Sequence, residues 1–131
     1  MTPEPIIRSA ADFEWESWGD ADLEAHSDVR WRLLSSGECM QTAELVMGIA
    51  EITPGATLID HCHTHAETNY IMSGRGWMCI NGVENKIDPG TATYILPEAE
   101  QSCKCEGDTP LEFVFTFPCD RSDEVVQRFE E

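Results

Sequence analysis

Apolar and polar residues alternate over short stretches along most of the chain, and turn-forming residues separate these stretches. Alternation with a period of two is typical of strands, and recurring short strands are typical of an antiparallel sandwich or barrel. Pro54-Gly55, Asn81-Gly82 and Asp88-Pro89-Gly90 are strong turn signals. No helix is predicted within this region, so the fold class is all-β. About nine strands are predicted, over residues 29–34, 44–52, 57–63, 69–72, 76–80, 83–87, 92–96, 101–105 and 111–117.

The segments on either side of the predicted strands divide the chain into three parts. We expect an acidic N-terminal arm over residues 1–28, a single barrel over residues 29–118 and a C-terminal tail over residues 119–131. The arm carries Trp15 and Trp18, and large aromatic residues in a polar arm are expected to pack on the domain or on a second subunit. The tail is predicted to form an edge strand or a short terminal helix.

The charge balance excludes several kinds of partner. The 131 residues include 25 Asp and Glu against 8 Lys and Arg, which gives a formal net charge of −17. This field repels nucleic acid and anionic membranes, and we interpret it as favouring solubility rather than a basic partner. No run approaches the roughly 20 apolar residues of a membrane span. The N-terminal stretch lacks the features of a signal peptide, so a cytoplasmic protein is expected.

Six cysteines raise the question of disulfide bonds. In a chain without an export signal, they are expected to be reduced thiols that pack as small hydrophobic residues. No two of them have the Cys-x-x-Cys spacing, so a structural zinc knuckle is not expected. The six are Cys39, Cys62, Cys79, Cys103, Cys105 and Cys119.

The residues with the clearest chemical potential lie within residues 55–74, which contain His61, His63, His65 and Glu67. In an extended strand, His61 and His63 point to the same face. Glu67 can rejoin that face after a kink, and two imidazoles with a carboxylate suit a divalent transition metal. His65 falls in the kink, and we interpret it as exposed or as a neighbour of the ligands rather than a ligand.

The spacing of this stretch resembles the first motif of the cupin superfamily. Gly55, His61, His63, Glu67 and Gly74 stand at the distances of that motif, and five positions at set distances form a specific signal. The resemblance implies a single double-stranded β-helix barrel, also called a jelly roll. It also implies that the two histidines and the glutamate hold one metal ion.

The second cupin motif is altered in this chain. Counted from Gly90, the position of the family's metal-binding histidine falls on Gln101, and the position of its asparagine falls on Cys105. An alternative register that begins at Pro97 places Ser102 at the histidine position. Gln101 is preferred because its register needs no insertion.

Three candidates therefore remain for the fourth ligand. Gln101 offers a neutral carbonyl oxygen and is preferred, followed by water alone. Cys103 is the third, because it lies on the same strand face as Gln101 and could bind as a thiolate. We expect one divalent transition metal ion, with Fe, Mn, Zn and Ni all compatible with such ligands.

Among small cupins, residues 29–129 are most similar to the single-domain group that contains the small cupin-type dimethylsulfoniopropionate lyases. In that group a tyrosine two residues after the glutamate acts as the base, and here that position holds Asn69. An amide cannot abstract a proton, so that particular activity is not expected. Asn69, on the face of Glu67, and Tyr94, expected at the pocket wall, are the candidate catalytic residues. The similarity rests on residues 29–31, 48–52, 74–76, 99–100, 117–121 and 124–125.

These patterns favour an enzyme, a mononuclear metal cupin that acts on a small polar organic molecule in a barrel pocket. The metal could serve as a Lewis acid in a lyase or isomerase reaction, or as iron in a dioxygenation. The alternative is a non-catalytic cupin that binds a metal or a small molecule as a sensor or storage protein. A homodimer is expected, in which N-terminal strands extend the sheet of the partner.

Overall fold

The computed structural model describes residues 7–19, 28–38, 40, 42 and 44–129 of the chain. Nearly all of the regular structure in these residues is β-strand, so the all-β prediction is confirmed. The ten strands, numbered in chain order, are β1 (Val29–Ser35), β2 (Val46–Ile52), β3 (Thr57–Cys62), β4 (Glu67–Ser73), β5 (Arg75–Ile80), β6 (Val83–Ile87), β7 (Ala92–Ile95), β8 (Gln101–Glu106), β9 (Leu111–Phe117) and β10 (Arg128–Phe129).

The strands form two five-stranded antiparallel sheets. One sheet has the order β1-β2-β9-β4-β7, and the other has the order β10-β3-β8-β5-β6. Strands that are distant in sequence lie side by side in both sheets, as expected for a jelly-roll barrel. Alternate residues of β2, β4, β8 and β9 are buried, and the apolar ones among them belong to one core between the sheets.

The predicted strands match the observed strands closely, with ends that shift by one or two residues at most positions. The second strand begins at Val46 rather than at residue 44, where Glu44 adopts a positive φ of 56° that no strand accommodates. The fourth begins two residues earlier than predicted, at Glu67. The tail contains both expected forms, a 3-10 helix at Ser122–Glu124 and the edge strand β10.

The described part of the N-terminal arm packs on the barrel. Arg30 and Arg32 stack over the ring of Trp15, at 3.9 and 4.2 Å from its centroid. Trp18 contacts Trp31 of β1 and Phe129 of β10 edge to face, with ring centroids 4.9 and 5.5 Å apart. Packing of the arm on its own domain is therefore observed for these residues. The expected homodimer, and the arm as a unit over its full predicted length, stay predictions.

The cysteines that the structure describes are free thiols. Cys103, Cys105 and Cys119 are buried, and Cys62 and Cys79 are half-buried, whereas Cys39 lies outside the described residues. Buried free cysteines behave as small hydrophobic residues, and the three buried ones belong to the apolar core. In the described ranges, no helix has the length and apolarity that crossing a membrane requires.

Candidate metal centre and its cavity

The candidate ligands come from both sheets and meet inside the barrel. His61 lies near the end of β3, His63 directly after it, and Gln101 begins β8, where it pairs with His61. Glu67 begins β4 in the opposite sheet. All four are buried, with exposures of 2%, 1%, 4% and 7% for His61, His63, Gln101 and Glu67. Four polar side chains in an apolar core need mutual partners or a ligand, because burial of unpaired polar groups is costly.

Backbone carbonyls orient both histidines. His61 Nδ1 lies 2.8 Å from the Ile59 carbonyl oxygen, and His63 Nδ1 lies 2.8 Å from the His65 carbonyl oxygen. Because a carbonyl only accepts, each Nδ1 carries the proton and donates. Each Nε2 is thereby left as the atom that can accept a proton or bind a metal, which is the arrangement typical of metal-ligating histidines.

His63, Glu67 and Gln101 form a tight cluster. His63 Nε2 lies 3.0 Å from Glu67 Oε1, and Gln101 Nε2 lies 3.1 Å from His63 Nε2 and 3.4 Å from Glu67 Oε1. A neutral His63 that donates through Nδ1 would place an acceptor nitrogen against an acceptor oxygen. That contact is favourable only with a proton or a metal ion between the two atoms.

The pKa values of the two histidines shift in opposite directions. Burial by itself lowers the pKa of His63, but the hydrogen bond and charge of Glu67, together with backbone carbonyls, outweigh it and raise that pKa. Burial lowers the pKa of His61 and outweighs the opposing effects of the Ile59 carbonyl and Glu67. In the absence of metal, protonation of His63 is therefore favoured and protonation of His61 is disfavoured.

Asn69 supports the carboxylate of Glu67. In the orientation that satisfies both ends of its amide, Asn69 donates to Glu67 Oε2 at 2.8 Å and to the Thr68 carbonyl at 3.2 Å, and accepts from Thr93 at 3.0 Å. The amide thus binds the oxygen of the Glu67 carboxylate that does not contact His63. Asn69 is 5% exposed and shares the interior face of Glu67, as the alternation along β4 predicts.

The residues at this site fit a divalent metal in the kind of donor they offer. Two imidazole nitrogens, a carboxylate and a carboxamide form a mixed nitrogen and oxygen set, and one pair of their acceptor atoms already stands at 3.0 Å. Within the described ranges, no group of three or more His, Cys, Asp and Glu side chains is close enough to hold a metal ion as it stands. Gln101 would also have to turn its amide oxygen toward the cluster, since its nitrogen now faces Glu67.

His65 lies beside the cluster rather than in it. Its side chain is half-buried, and its Nδ1 atom is buried with no hydrogen-bond partner. Its backbone carbonyl accepts from His63 Nδ1, so the residue orients His63 through the main chain. This placement agrees with its interpretation as a neighbour of the ligands.

The surroundings of Cys103, which the sequence left open as a thiolate ligand, disfavour the free thiolate. It is 3% exposed, and burial, with smaller contributions from Cys105 and Glu67, raises the pKa of its thiol to about 12.

We expect Cys103 to resist alkylation by iodoacetamide near neutral pH in the folded, metal-free protein, because the thiolate is the reactive form. The half-buried Cys62 and Cys79 should react first. Peptide mapping by mass spectrometry measures this order, and unfolded protein, in which every cysteine should react, is the control. Modification of Cys103 as fast as Cys79 would show that burial does not suppress its thiolate.

A cavity of about 360 Å³ adjoins the cluster and is lined by residues from both sheets, the arm and the tail. His61 and Glu67 reach its wall, together with Ser122 and Gln127. The rest of the lining is apolar. Its aromatic members are Trp18, Trp31, Phe113, Phe115, Phe117 and Phe129.

The expectation that Tyr94 lies at the pocket wall is wrong. Tyr94 is 62% exposed and does not line the cavity, because it points away from the interior while its neighbour Thr93 faces Asn69. Tyr70 is 52% exposed on the same side of β4 as other outward residues. These are the only two tyrosines in the sequence, so no tyrosine reaches the candidate centre.

Several lining residues were not identified from the sequence as parts of the site, among them Trp18, Gln127 and Phe129. For Gln127 and Phe129 the sequence does contain a signal, because these two residues flank the charged and exposed Arg128. It does not show that β10 pairs with β3, which places Phe129 opposite His61. That pairing joins segments far apart in the chain, and alternation within one segment cannot predict it.

Comparison with known proteins places this architecture in context. Residues 48–117 match the family described as Cupin_2: Cupin domain. The chain is 35% identical to the dimethylsulfoniopropionate lyase DddW of Ruegeria pomeroyi over 104 residues, which cover 79% of this chain and 68% of that protein.

Solved structures share the fold at lower sequence identity. The polyketide cyclase RemF from Streptomyces resistomycificus superposes with a TM-score of 0.81 at 16% identity, covering 98% of this chain and 87% of that one. An RmlC-like cupin from Shewanella frigidimarina superposes with a TM-score of 0.73 at 20% identity, covering 95% of this chain and 100% of that one. At these identities the likeness establishes the fold alone.

Proposed function

Because the chain belongs to the Cupin_2 domain family, we propose that it is a metal-dependent enzyme that acts on a small organic molecule in the barrel cavity. The observation that carries this proposal is the buried contact of 3.0 Å between His63 Nε2 and Glu67 Oε1, with Gln101 beside it and His61 at the cavity wall. The facing pair of acceptor atoms, His63 Nε2 and Glu67 Oε1, is unfavourable in an apolar core unless a cation or proton lies between them.

In this proposal His61, His63, Glu67 and Gln101 hold the metal. A bound divalent ion would supply Lewis acidity, which polarises a carbonyl or lowers the pKa of a bound water. The chain contributes the rest of the site. Carbonyls of Ile59 and His65 hold the two imidazoles in the ligating tautomer, and Asn69 holds the Glu67 carboxylate in place.

The reaction class that we favour is an elimination or isomerisation, since the 35% identical relative is named as a lyase. We do not extend the substrate in that name to this chain. Asn69 replaces the tyrosine that the resemblance identifies as the base, and both Tyr70 and Tyr94 are exposed outside the cavity. A reaction that depends on a tyrosine base therefore has no residue to perform it.

One observation supports a second candidate, a non-catalytic cupin that binds a small molecule. Apart from His61 and Glu67, no side chain among the lining residues can act as an acid or base near neutral pH. If both residues hold the metal, proton transfer depends on bound water alone. A protein that only binds a small molecule needs no acid or base among the residues that line its cavity.

Metal analysis of the purified protein tests the proposal. We expect about one transition metal ion per chain in the wild type and a large loss in His61→Ala. His65→Ala is the matched control, because it removes a neighbouring imidazole but keeps the backbone carbonyl that His63 requires. Equal metal content in the wild type and His61→Ala would remove the basis for the enzyme. Metal that is bound but yields no turnover of any carbonyl or hydroxy compound in a substrate screen would favour the binding protein.

A further inference from the structure

The residues that line the cavity indicate the chemical class of its ligand, which the candidate metal ligands alone do not. Trp18, Trp31 and Phe129 form a continuous aromatic wall, in which Trp18 contacts the other two rings edge to face. Phe129 also lies against His61, with ring centroids 5.5 Å apart. This aromatic wall therefore begins beside the candidate metal centre and ends at the arm.

One polar atom in the lining has no partner. Gln127 lines the cavity, and its amide oxygen Oε1 is buried without any hydrogen bond. Two other side-chain atoms share this condition in the described residues, Arg32 Nε and His65 Nδ1, but neither of those residues lines the cavity. Buried acceptors are almost always paired in folded proteins, so an unpaired one at a cavity indicates a missing donor.

The position of Gln127 lets it serve such a donor. Gln127 directly precedes β10, two residues before Phe129, which pairs with His61 across β10 and β3. Gln127, Phe129 and His61 all line the same cavity. The terminal torsion of a glutamine is soft, so its amide can turn toward the cavity at little cost.

The charges around the cavity restrict the ligand further. Neither Lys nor Arg lines it, and Glu67 stands at its wall. The net charge of the chain is −17. A strongly anionic group such as a phosphate would find no cationic side chain in this lining.

We propose that the cavity binds an organic molecule with an apolar, ring-sized body and a hydroxyl or N–H donor. The body packs on the aromatic wall of Trp18, Trp31 and Phe129, and the donor is bound by Gln127 Oε1. This inference concerns the ligand of the site proposed above and rests on that function for its biological meaning. It replaces the polar substrate expected from the sequence with one that is mainly apolar.

A pair of probes tests the donor requirement directly. Benzyl alcohol and benzyl methyl ether share the ring and the position of the oxygen, but only the alcohol donates a hydrogen bond. In titrations followed by NMR, we expect wild-type protein to bind the alcohol about fivefold more tightly, which is the usual net effect of one hydrogen bond. Gln127→Leu should bring the ratio of the two dissociation constants to about one.

Three further variants separate the role of Gln127 from a general effect on folding. Gln127→Glu retains an acceptor oxygen and should retain the preference for the alcohol. Val126→Thr, at an exposed neighbouring position, should behave as wild type. Trp18→Ala should weaken both probes by the same factor, because it removes apolar contact and no hydrogen bond.

The outcomes distinguish this inference from the proposed function. A ratio near one in the wild type, or a ratio that Gln127→Leu leaves unchanged, would overturn the inference, and it would mean that Gln127 Oε1 is satisfied by water. The metal content of the wild type is measured on the same samples. Normal metal content without discrimination between the probes would leave the enzyme proposal in place. Discrimination without bound metal would support the ligand class and contradict the metal enzyme.

Discussion

Glu67→Gln is expected to abolish metal binding while the fold is preserved. The change removes the only carboxylate in the His63–Glu67–Gln101 cluster. A neutral His63, which donates through Nδ1 to the His65 carbonyl, can accept a hydrogen bond from the new amide, so the buried contact survives. We expect metal content to fall from about one ion per chain to nearly none. Any catalytic turnover should fall by roughly a thousandfold, because Lewis acidity supplies several kcal/mol to such reactions.

Elemental analysis and thermal unfolding measure the two halves of this prediction on the same preparation. Glu84→Gln is the matched control, since it makes the same chemical change at an exposed position of β6. The control should keep both its metal and its melting temperature. If Glu67→Gln kept its full metal content, Glu67 would not be a ligand, and the cluster would need another explanation.

Gly76→Ala is expected to be among the most destabilising single substitutions in the barrel. A Cβ at Gly76 in β5 would lie 1.9 Å from the backbone oxygen of Lys104 and 3.0 Å from its carbonyl carbon. These atoms belong to β8, which pairs with β5, so relief requires the two strands to separate. We expect a loss of about 3 kcal/mol or more in the free energy of unfolding. This corresponds to a fall of roughly 10 °C in the melting temperature.

Gly82→Ala separates this steric effect from the intrinsic cost of replacing a glycine. Gly82 adopts a positive φ of 83° in the turn between β5 and β6, and a Cβ there would meet no atom within 4 Å. Its cost should therefore be about 1–2 kcal/mol, from the backbone conformation alone. Denaturant unfolding of both variants gives the comparison. Similar losses in the two would mean that contact with β8 contributes little to the effect of Gly76→Ala.

Local sequence signals were sufficient for the strands because their physical causes are local. Alternation with a period of two predicts which residues of a strand share a face, and Asn81-Gly82 predicts a tight turn because both residues adopt a positive φ. The strand ends were less predictable. The start of β4 at Glu67 follows from its pairing with Ile95 of β7, which no local pattern contains.

Where contacts between distant segments decide whether a residue faces the cavity, local sequence signals could not predict its placement. Tyr94 and Thr93 are neighbours on a short strand, and only the pairing of β7 with β4 decides that Thr93 faces Asn69. Trp18 and Gln127 reach the cavity because the arm and the tail both pack at its rim. A one-residue error in register reverses the two faces of a strand, so these assignments need the tertiary structure.

The sequence by itself determined the all-β barrel and identified the stretch that carries His61, His63 and Glu67. These features could be predicted because their signals are local: turn residues, strand alternation and a motif with set spacing are each contained in a short stretch of sequence. Only the tertiary structure decided that Gln101 meets His63 and Glu67, that Asn69 holds Glu67, and that the adjoining cavity is mainly apolar. Those contacts join β3, β4, β8 and β10, and their geometry follows from how two twisted sheets pack rather than from any one segment.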